Sequence, residues 1–232
     1  MDDFAAQLRV IRYDVRGHGK TPCPPGDYAH SEDLMALLDH LGVGQTAVLG
    51  CSMGGGIAID FTLTYPERAT ALIPVASAVA GFDPEEADIT AQEERGRLFS
   101  EVGAAYDRGD FRNAAHLLAR VWVDGPKRSP DQVNPEVRAR AIEMMMGMFE
   151  LPEDEGTEQS LEPPAASRLA EIDVPTLVIV GDYDDERILM TANYLARGIA
   201  GAQRVVMPGL AHYPNMERPA EFNRLVLEFL EA

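Results

Sequence analysis

The chain has 232 residues, 46% hydrophobic and 25% charged, which suits one α/β core with an inserted sub-domain and excludes wholesale disorder. Twenty basic against 38 acidic residues give a formal charge of −18, which disfavours nucleic acid or an anionic lipid surface as a partner. Cys23 and Cys51 make neither a disulfide scaffold nor a four-ligand zinc site. With no signal-peptide pattern at the start and no apolar run near ~18 residues, a soluble cytoplasmic protein is expected.

In chain order, residues 9–13 (Arg-Val-Ile-Arg-Tyr) are expected to form a strand, followed by a glycine-rich turn. Ser31 is expected to cap a helix, with Glu32 and Asp33 favourable at its positive end. Leu34, Leu37, Leu38 and Leu41 then share one face, and Gly42 ends the helix. Residues 46–49 are a second strand, residues 53–63 a helix and residues 71–75 a third strand. From Phe82 to Leu169 no strand run is evident. Helical spacing runs through Leu98, Val102 and Ala105, through Ala114, Leu118 and Val121, and from Pro135 past Met148. Two acidic loops, residues 83–86 and 152–155, are expected to be the least ordered parts. Residues 176–180 and 204–207 are the fourth and fifth strands. A last helix opens at Pro219 with Phe222, Leu225, Val226 and Phe229 on one face. Apolar strands alternating with helices predict a mostly parallel, doubly wound sheet, with a core of residues 1–81 and 170–232 and an all-helical insertion at 82–169.

The strongest chemical signal is Gly50-Cys51-Ser52-Met53-Gly54, a G-x-S-x-G between a strand and a helix. That context is a nucleophile elbow: the strand reverses sharply into the helix and leaves the serine oxygen exposed. Gly50 and Gly54 are expected where the turn leaves no room for a Cβ, and the Met53 N–H can stabilise an oxyanion. A serine nucleophile needs a base. Among five histidines, His212 follows the fifth strand, which puts it on the same rim as Ser52, with a hydroxyl-to-imidazole distance expected near ~3 Å. His18, His30, His40 and His116 fall in a turn, before a helix, at a helix end and in the insertion. The orienting acid is expected in the loop after the fourth strand, where Asp182, Asp184, Asp185 and Glu186 are all chemically able. Trp122, Met144, Met145 and Met148 could line a pocket, although a methionine stripe at helical spacing also suits helix packing. Gly19-Lys20-Thr21 ends like a phosphate-binding loop, but Asp14 stands where that loop requires glycine.

Together, residues 13–21, residues 50–55, residues 174–184 (ending Gly-Asp-Tyr-Asp) and residues 209–219 (Gly-Leu-Ala-His-Tyr-Pro-Asn-Met-Glu-Arg-Pro) make the chain resemble the α/β-hydrolases of the esterase, lactonase and carbon–carbon hydrolase group. The order Ser, acid, His is that of the family. The resemblance implies Asp184 as the acid, residues 82–169 as a cap over the pocket, no cofactor, no metal and a small-molecule substrate. It also implies that the family's first strands and His-Gly oxyanion loop precede a helix like residues 2–8. One strand between residues 9–13 and 46–49 is therefore expected to be missing here. The expected consequences are a gap of about 9–10 Å, poor solubility and one oxyanion donor in place of two. A serine hydrolase acting on an ester, lactone or activated carbon–carbon bond is the leading expectation. A truncated or non-catalytic pseudoenzyme and a cofactor-free perhydrolase or haloperoxidase are the alternatives.

Overall fold

The computed structural model of the protein describes residues 2–84, 89–151 and 155–231. Its main sheet has four parallel strands, β2 (Thr46–Cys51), β3 (Ala69–Val75), β5 (Leu177–Gly181) and β6 (Gln203–Met207), in that spatial order. Leu49 pairs with Ile73, Val75 with Ile179 and Ile179 with Val205. Every residue of β5 and all but Thr70 of β3 are buried. Central strands of a parallel sheet are covered on both faces, which explains why these segments read as continuous apolar runs.

Helix α3 (Met53–Thr64) packs on β2 and β3, and α2 (His30–His40) packs on α3. Helix α7 (Glu186–Gly198) packs on β5 and β6, while α1 (Asp2–Ala5) meets the last helix (Pro219–Glu231). Phe61, Ile59, Leu72, Ile73, Ile179 and Leu195 form the centre of the core. Full burial of each such side chain contributes ~1.5–3 kcal/mol.

Helices α4 (Ile89–Asp107), α5 (Phe111–Ala119) and α6 (Pro135–Phe149) build a second apolar cluster around Val102, Ala105, Ala114, Ala115, Leu118 and Met145. The alanines let the helices approach closely. Asp110 caps α5 by accepting from the Asn113 N–H, and Asn134 caps α6 by accepting from the Glu136 N–H, with Pro135 at the first helical position. Between α5 and α6 the chain makes a π-helical turn at Arg120–Asp124. Trp122, on that turn, packs against both clusters.

Four sequence expectations need correction. Residues 9–13 are not a strand, because among the described residues no strand pairs with their backbone on either side; β propensity without a neighbouring ladder does not make a strand. The gap between them and β2 stays open as a cavity of about 690 Å³, lined by Val10, Leu34, Leu49, Ile57 and Val226 among others. Among the described residues β2 pairs with β3 alone, and Leu49 is 44% exposed. Helix α2 starts at His30 after Ala29, so Ser31 is a buried residue of its first turn rather than its cap. The insertion is not wholly helical: β4 (Gly156–Glu158) pairs in parallel with β1 (Gly26–Tyr28), apart from the main sheet. The main core also resumes early, with Ala165, Ala166 and Leu169 buried in it. Of the two acidic loops, Glu85, Glu86 and residues 152–154 lie outside the described residues, while Asp83 pairs with Arg187 at 2.7 Å.

Candidate active site

All the strands of the main sheet run the same way, so the loops after them open on one rim, where ligands bind in open parallel sheets. Ser52 follows β2, Asp184 follows β5 and His212 follows β6.

Ser52 has φ 55° and ψ −118°, a backbone conformation that non-glycine residues avoid. It is held there on both sides. Its N–H donates to the Val75 carbonyl at 2.9 Å, and its carbonyl accepts from the Gly55 and Gly56 N–H groups at 3.0 and 3.2 Å. Gly50 is required by contact: a Cβ there would collide with the Gly54 carbonyl in the first turn of α3. Gly54 is not required in this way, because a Cβ on it would meet open space beside the cavity that it helps to line. The expectation of a steric need at both glycines therefore holds at Gly50 alone. Met53 is the first residue of α3, so its N–H has no acceptor within the helix and is free to serve an anion.

His212 and Asp184 are each 1% exposed. The imidazole Nδ1 lies 2.9 and 3.1 Å from the two Asp184 carboxylate oxygens. A carboxylate only accepts, so Nδ1 carries the proton and Nε2 is left with a lone pair. The Asp185 N–H also donates to Asp184, at 2.8 Å. Burial pushes the Asp184 carboxyl above its ordinary range, against the opposing pull of His212 and the Asp185 N–H. The Asp185 side chain points elsewhere. It caps α7 by accepting from the Arg187 N–H and pairs with Arg95 at 3.2 Å. Asp182 accepts from the Gly209 N–H and thereby shapes the histidine loop.

The elbow and the histidine loop touch directly, since the Cys51 thiol donates to the His212 carbonyl at 3.5 Å. Burial, with Asp184 adding, pushes the Cys51 thiol up to about 12, so it stays protonated at neutral pH. The expected contact between the Ser52 hydroxyl and the imidazole is not a hydrogen bond in this structure; such contacts often tighten only when substrate is bound.

Trp122 covers the imidazole, with ring centroids 4.4 Å apart at 32°, and its carbonyl accepts from the His212 N–H at 3.2 Å. Arg95 lies over the Trp122 and Phe99 rings. Met145 is buried among the helices, whereas Met144 and Met148 are 56% and 42% exposed and do not line the cavity beside β2. The expected methionine lining is thus a packing residue and two surface residues, because α6 turns those two outward. His40 and His116 are exposed, His18 lies against the Arg16 carbonyl and His30 is buried beside Tyr28; none reaches the rim pair. Among the described residues no cluster of His, Cys, Asp and Glu is arranged to hold a metal ion, and no helix is long and apolar enough to cross a membrane.

Sequence reasoning missed Ser77, Arg128 and Glu217. Ser77 packs its hydroxyl under the elbow, 3.4 Å from the Ser52 carbonyl. Arg128 and Glu217 form a buried ion pair behind the histidine loop. Glu217 sits five residues after His212, within the same conspicuous stretch, but its partner lies 89 residues away and carried no local signal.

Comparison with known proteins identifies the fold family. A family model described as alpha/beta hydrolase fold matches residues 1–219. The chain is 30% identical over 237 residues to the 2-hydroxymuconate semialdehyde hydrolase of Pseudomonas sp. strain CF600, covering 99% of this chain and 79% of that one. It is 29% identical over 230 residues to 3-oxoadipate enol-lactonase 2 of Acinetobacter baylyi, covering 96% and 79%. A thermophilic esterase of solved structure from Thermogutta terrifontis is similar with a TM-score of 0.73 at 27% identity, covering 99% of this chain and 82% of that one. With a parallel sheet, flanking helices and a serine elbow at the strand ends, the chain belongs to the alpha/beta hydrolase fold family, and its relatives include a semialdehyde hydrolase and an enol-lactonase.

Proposed function

We propose that the protein is a serine hydrolase that cleaves an ester, a lactone or an activated carbon–carbon bond of a small molecule. The observation that carries this reading is the buried His212–Asp184 pair, 2.9 Å apart, on the rim that also holds Ser52 in its strained elbow. His212 Nε2 takes the proton from Ser52 as its oxygen attacks the substrate carbonyl, and then delivers it to the leaving group. Asp184 fixes the imidazole tautomer and stabilises the imidazolium. The Met53 N–H donates to the oxyanion that develops. The nature of the relatives supports the substrate class: one is an enol-lactonase, one a semialdehyde hydrolase and one an esterase.

Helices α4–α6 act as a lid whose Trp122 forms an aromatic wall beside the imidazole. The excess of acidic residues favours a small molecule over nucleic acid or an anionic membrane as the partner. Hydrolysis of short p-nitrophenyl esters is the test. Activity that disappears in Ser52→Ala supports the reading, and activity that survives it moves the chemistry to another residue. A wild type that binds these esters without turning them over would make the chain a non-catalytic member of the fold.

A further inference from the structure

Arg128 lies in the segment that follows the π-helical turn, and its side chain is 6% exposed. An arginine side chain has five N–H donors in a fixed fork, and here all five are used. Nε donates to the Asp124 carbonyl at 3.0 Å. Nη1 donates to the Gly209 carbonyl at 3.0 Å and to Glu217 Oε2 at 2.6 Å. Nη2 donates to the Val123 carbonyl at 2.6 Å and to Glu217 Oε1 at 3.1 Å. Glu217, 7% exposed, also accepts from the Ala211 N–H at 3.0 Å. One guanidinium thus ties two carbonyls next to Trp122 to the loop just before His212, directly and through Glu217.

Neighbouring contacts run the same way. Gly125 approaches so closely that a Cβ there would collide with the Tyr183 carbonyl. Lys127 donates to the Asp182 carbonyl at 2.7 Å, which joins the segment to the loop bearing Asp184. A lid that floated over the sheet would need none of this.

We propose that Arg128 is a positioning residue that, with Glu217, latches the Trp122 segment of the lid to the His212 loop, so that the imidazole and its aromatic cover are held as one unit over Ser52. The part concerning Ser52 rests on the hydrolase reading; the latch itself does not. The latch fixes where His212 Nε2 points and how far the Trp122 wall stands from the reacting carbonyl. A misplacement near 1 Å in such a site costs about 100-fold in rate.

Trp122 is the chain's single tryptophan, so its emission reports the stack on His212 without a probe. The experiment compares wild type, Arg128→Met and Arg128→Lys by tryptophan emission, acrylamide quenching and the rate at which a fluorophosphonate labels Ser52. Arg68→Met is the control. Arg68 also bonds several groups, Asp39 and the Val43 and Gly44 carbonyls, but at the opposite, N-terminal ends of the strands. Arg128→Met is expected to shift emission to longer wavelength, raise quenching and slow labelling about 100-fold. Arg128→Lys, with three donors, is expected to fall between, and it gives the reading if the methionine variant does not fold. Arg68→Met is expected to lower the melting temperature and leave emission and labelling rate unchanged. Wild-type emission and labelling in a folded Arg128→Met or Arg128→Lys would overturn the latch, and so would equal changes in Arg68→Met. A wild type that never labels would end the hydrolase reading, and the emission shift alone would then decide the latch.

Discussion

Gly50→Ala and Gly54→Ala put the elbow geometry to a sharp comparison, because the two glycines flank the same serine and differ only in what surrounds them. A Cβ on Gly50 meets the Gly54 carbonyl and the Gly55 nitrogen, all backbone, well inside ordinary contact. No flexible side chain can yield, so β2 and the first turn of α3 must part by about 1 Å, at an overpacking cost of ~1–3 kcal/mol. For a chain of this size each kcal/mol lowers the melting temperature by about 2–4 °C, which gives a fall of about 2–12 °C. The same displacement moves Ser52 and should reduce esterase activity about 100-fold. Gly54→Ala meets nothing within reach, and alanine is favoured over glycine inside a helix by ~1 kcal/mol. Its melting temperature should stay level or rise by about 2–4 °C, with activity near wild type. Differential scanning fluorimetry and p-nitrophenyl ester hydrolysis give both readings. A Gly50→Ala protein as stable and active as wild type, or a Gly54→Ala protein as impaired as Gly50→Ala, would refute the reasoning.

Three further outcomes follow from the same geometry. Asp184→Asn should lower kcat about 10⁴-fold, because an amide beside Nδ1 no longer enforces the tautomer that leaves Nε2 free; steady-state kinetics showing less than a tenfold loss would remove Asp184 from the triad. Cys51→Ala should keep esterase activity, since the Cys51 thiol is pushed up to about 12 and supplies no thiolate; loss of activity with the fold intact would reopen Cys51 as nucleophile. Asp60 is half-buried near Glu158, and burial pushes it up to about 6. The folded chain then holds a proton that the unfolded chain releases, so stability falls as pH rises from about 4 to 6. Discounted for solvent screening, Asp60→Asn should gain about 1 kcal/mol at pH 8 and nothing near pH 4. Thermal melts at the two pH values check this, and an equal shift at both would contradict it.

Much of this was legible because local chemistry and tertiary role coincide. Strands β3 and β5 are covered on both faces, so their apolar runs stand out from any neighbour. The elbow is legible because a strand, a G-x-S-x-G and a helix lie within a few residues. His212 follows from chain order once the strands are placed, whereas chain order narrows the acid only to the loop after β5, and the family resemblance singles out Asp184 within it. What escaped depended on distant partners. Residues 9–13 have the composition of a strand, but a strand exists only as part of a ladder, and β2 is not bonded to them. Conversely, Gly156-Thr-Glu158 has no strand composition and becomes β4 because it lies beside β1. Trp122 reads only as a possible pocket residue, and it takes the π-helical turn to aim it at His212. The Arg128–Glu217 pair has no sequence signature at all, because the fold alone brings the two residues together.

The most direct measurement of the central claim is peptide mapping by mass spectrometry after treatment with a fluorophosphonate at neutral pH. The account predicts one adduct, on Ser52, absent in Ser52→Ala and formed far more slowly in His212→Ala, where the base is gone. An adduct on any other residue of the wild type, or labelling of Ser52 at the same rate without His212, would contradict it.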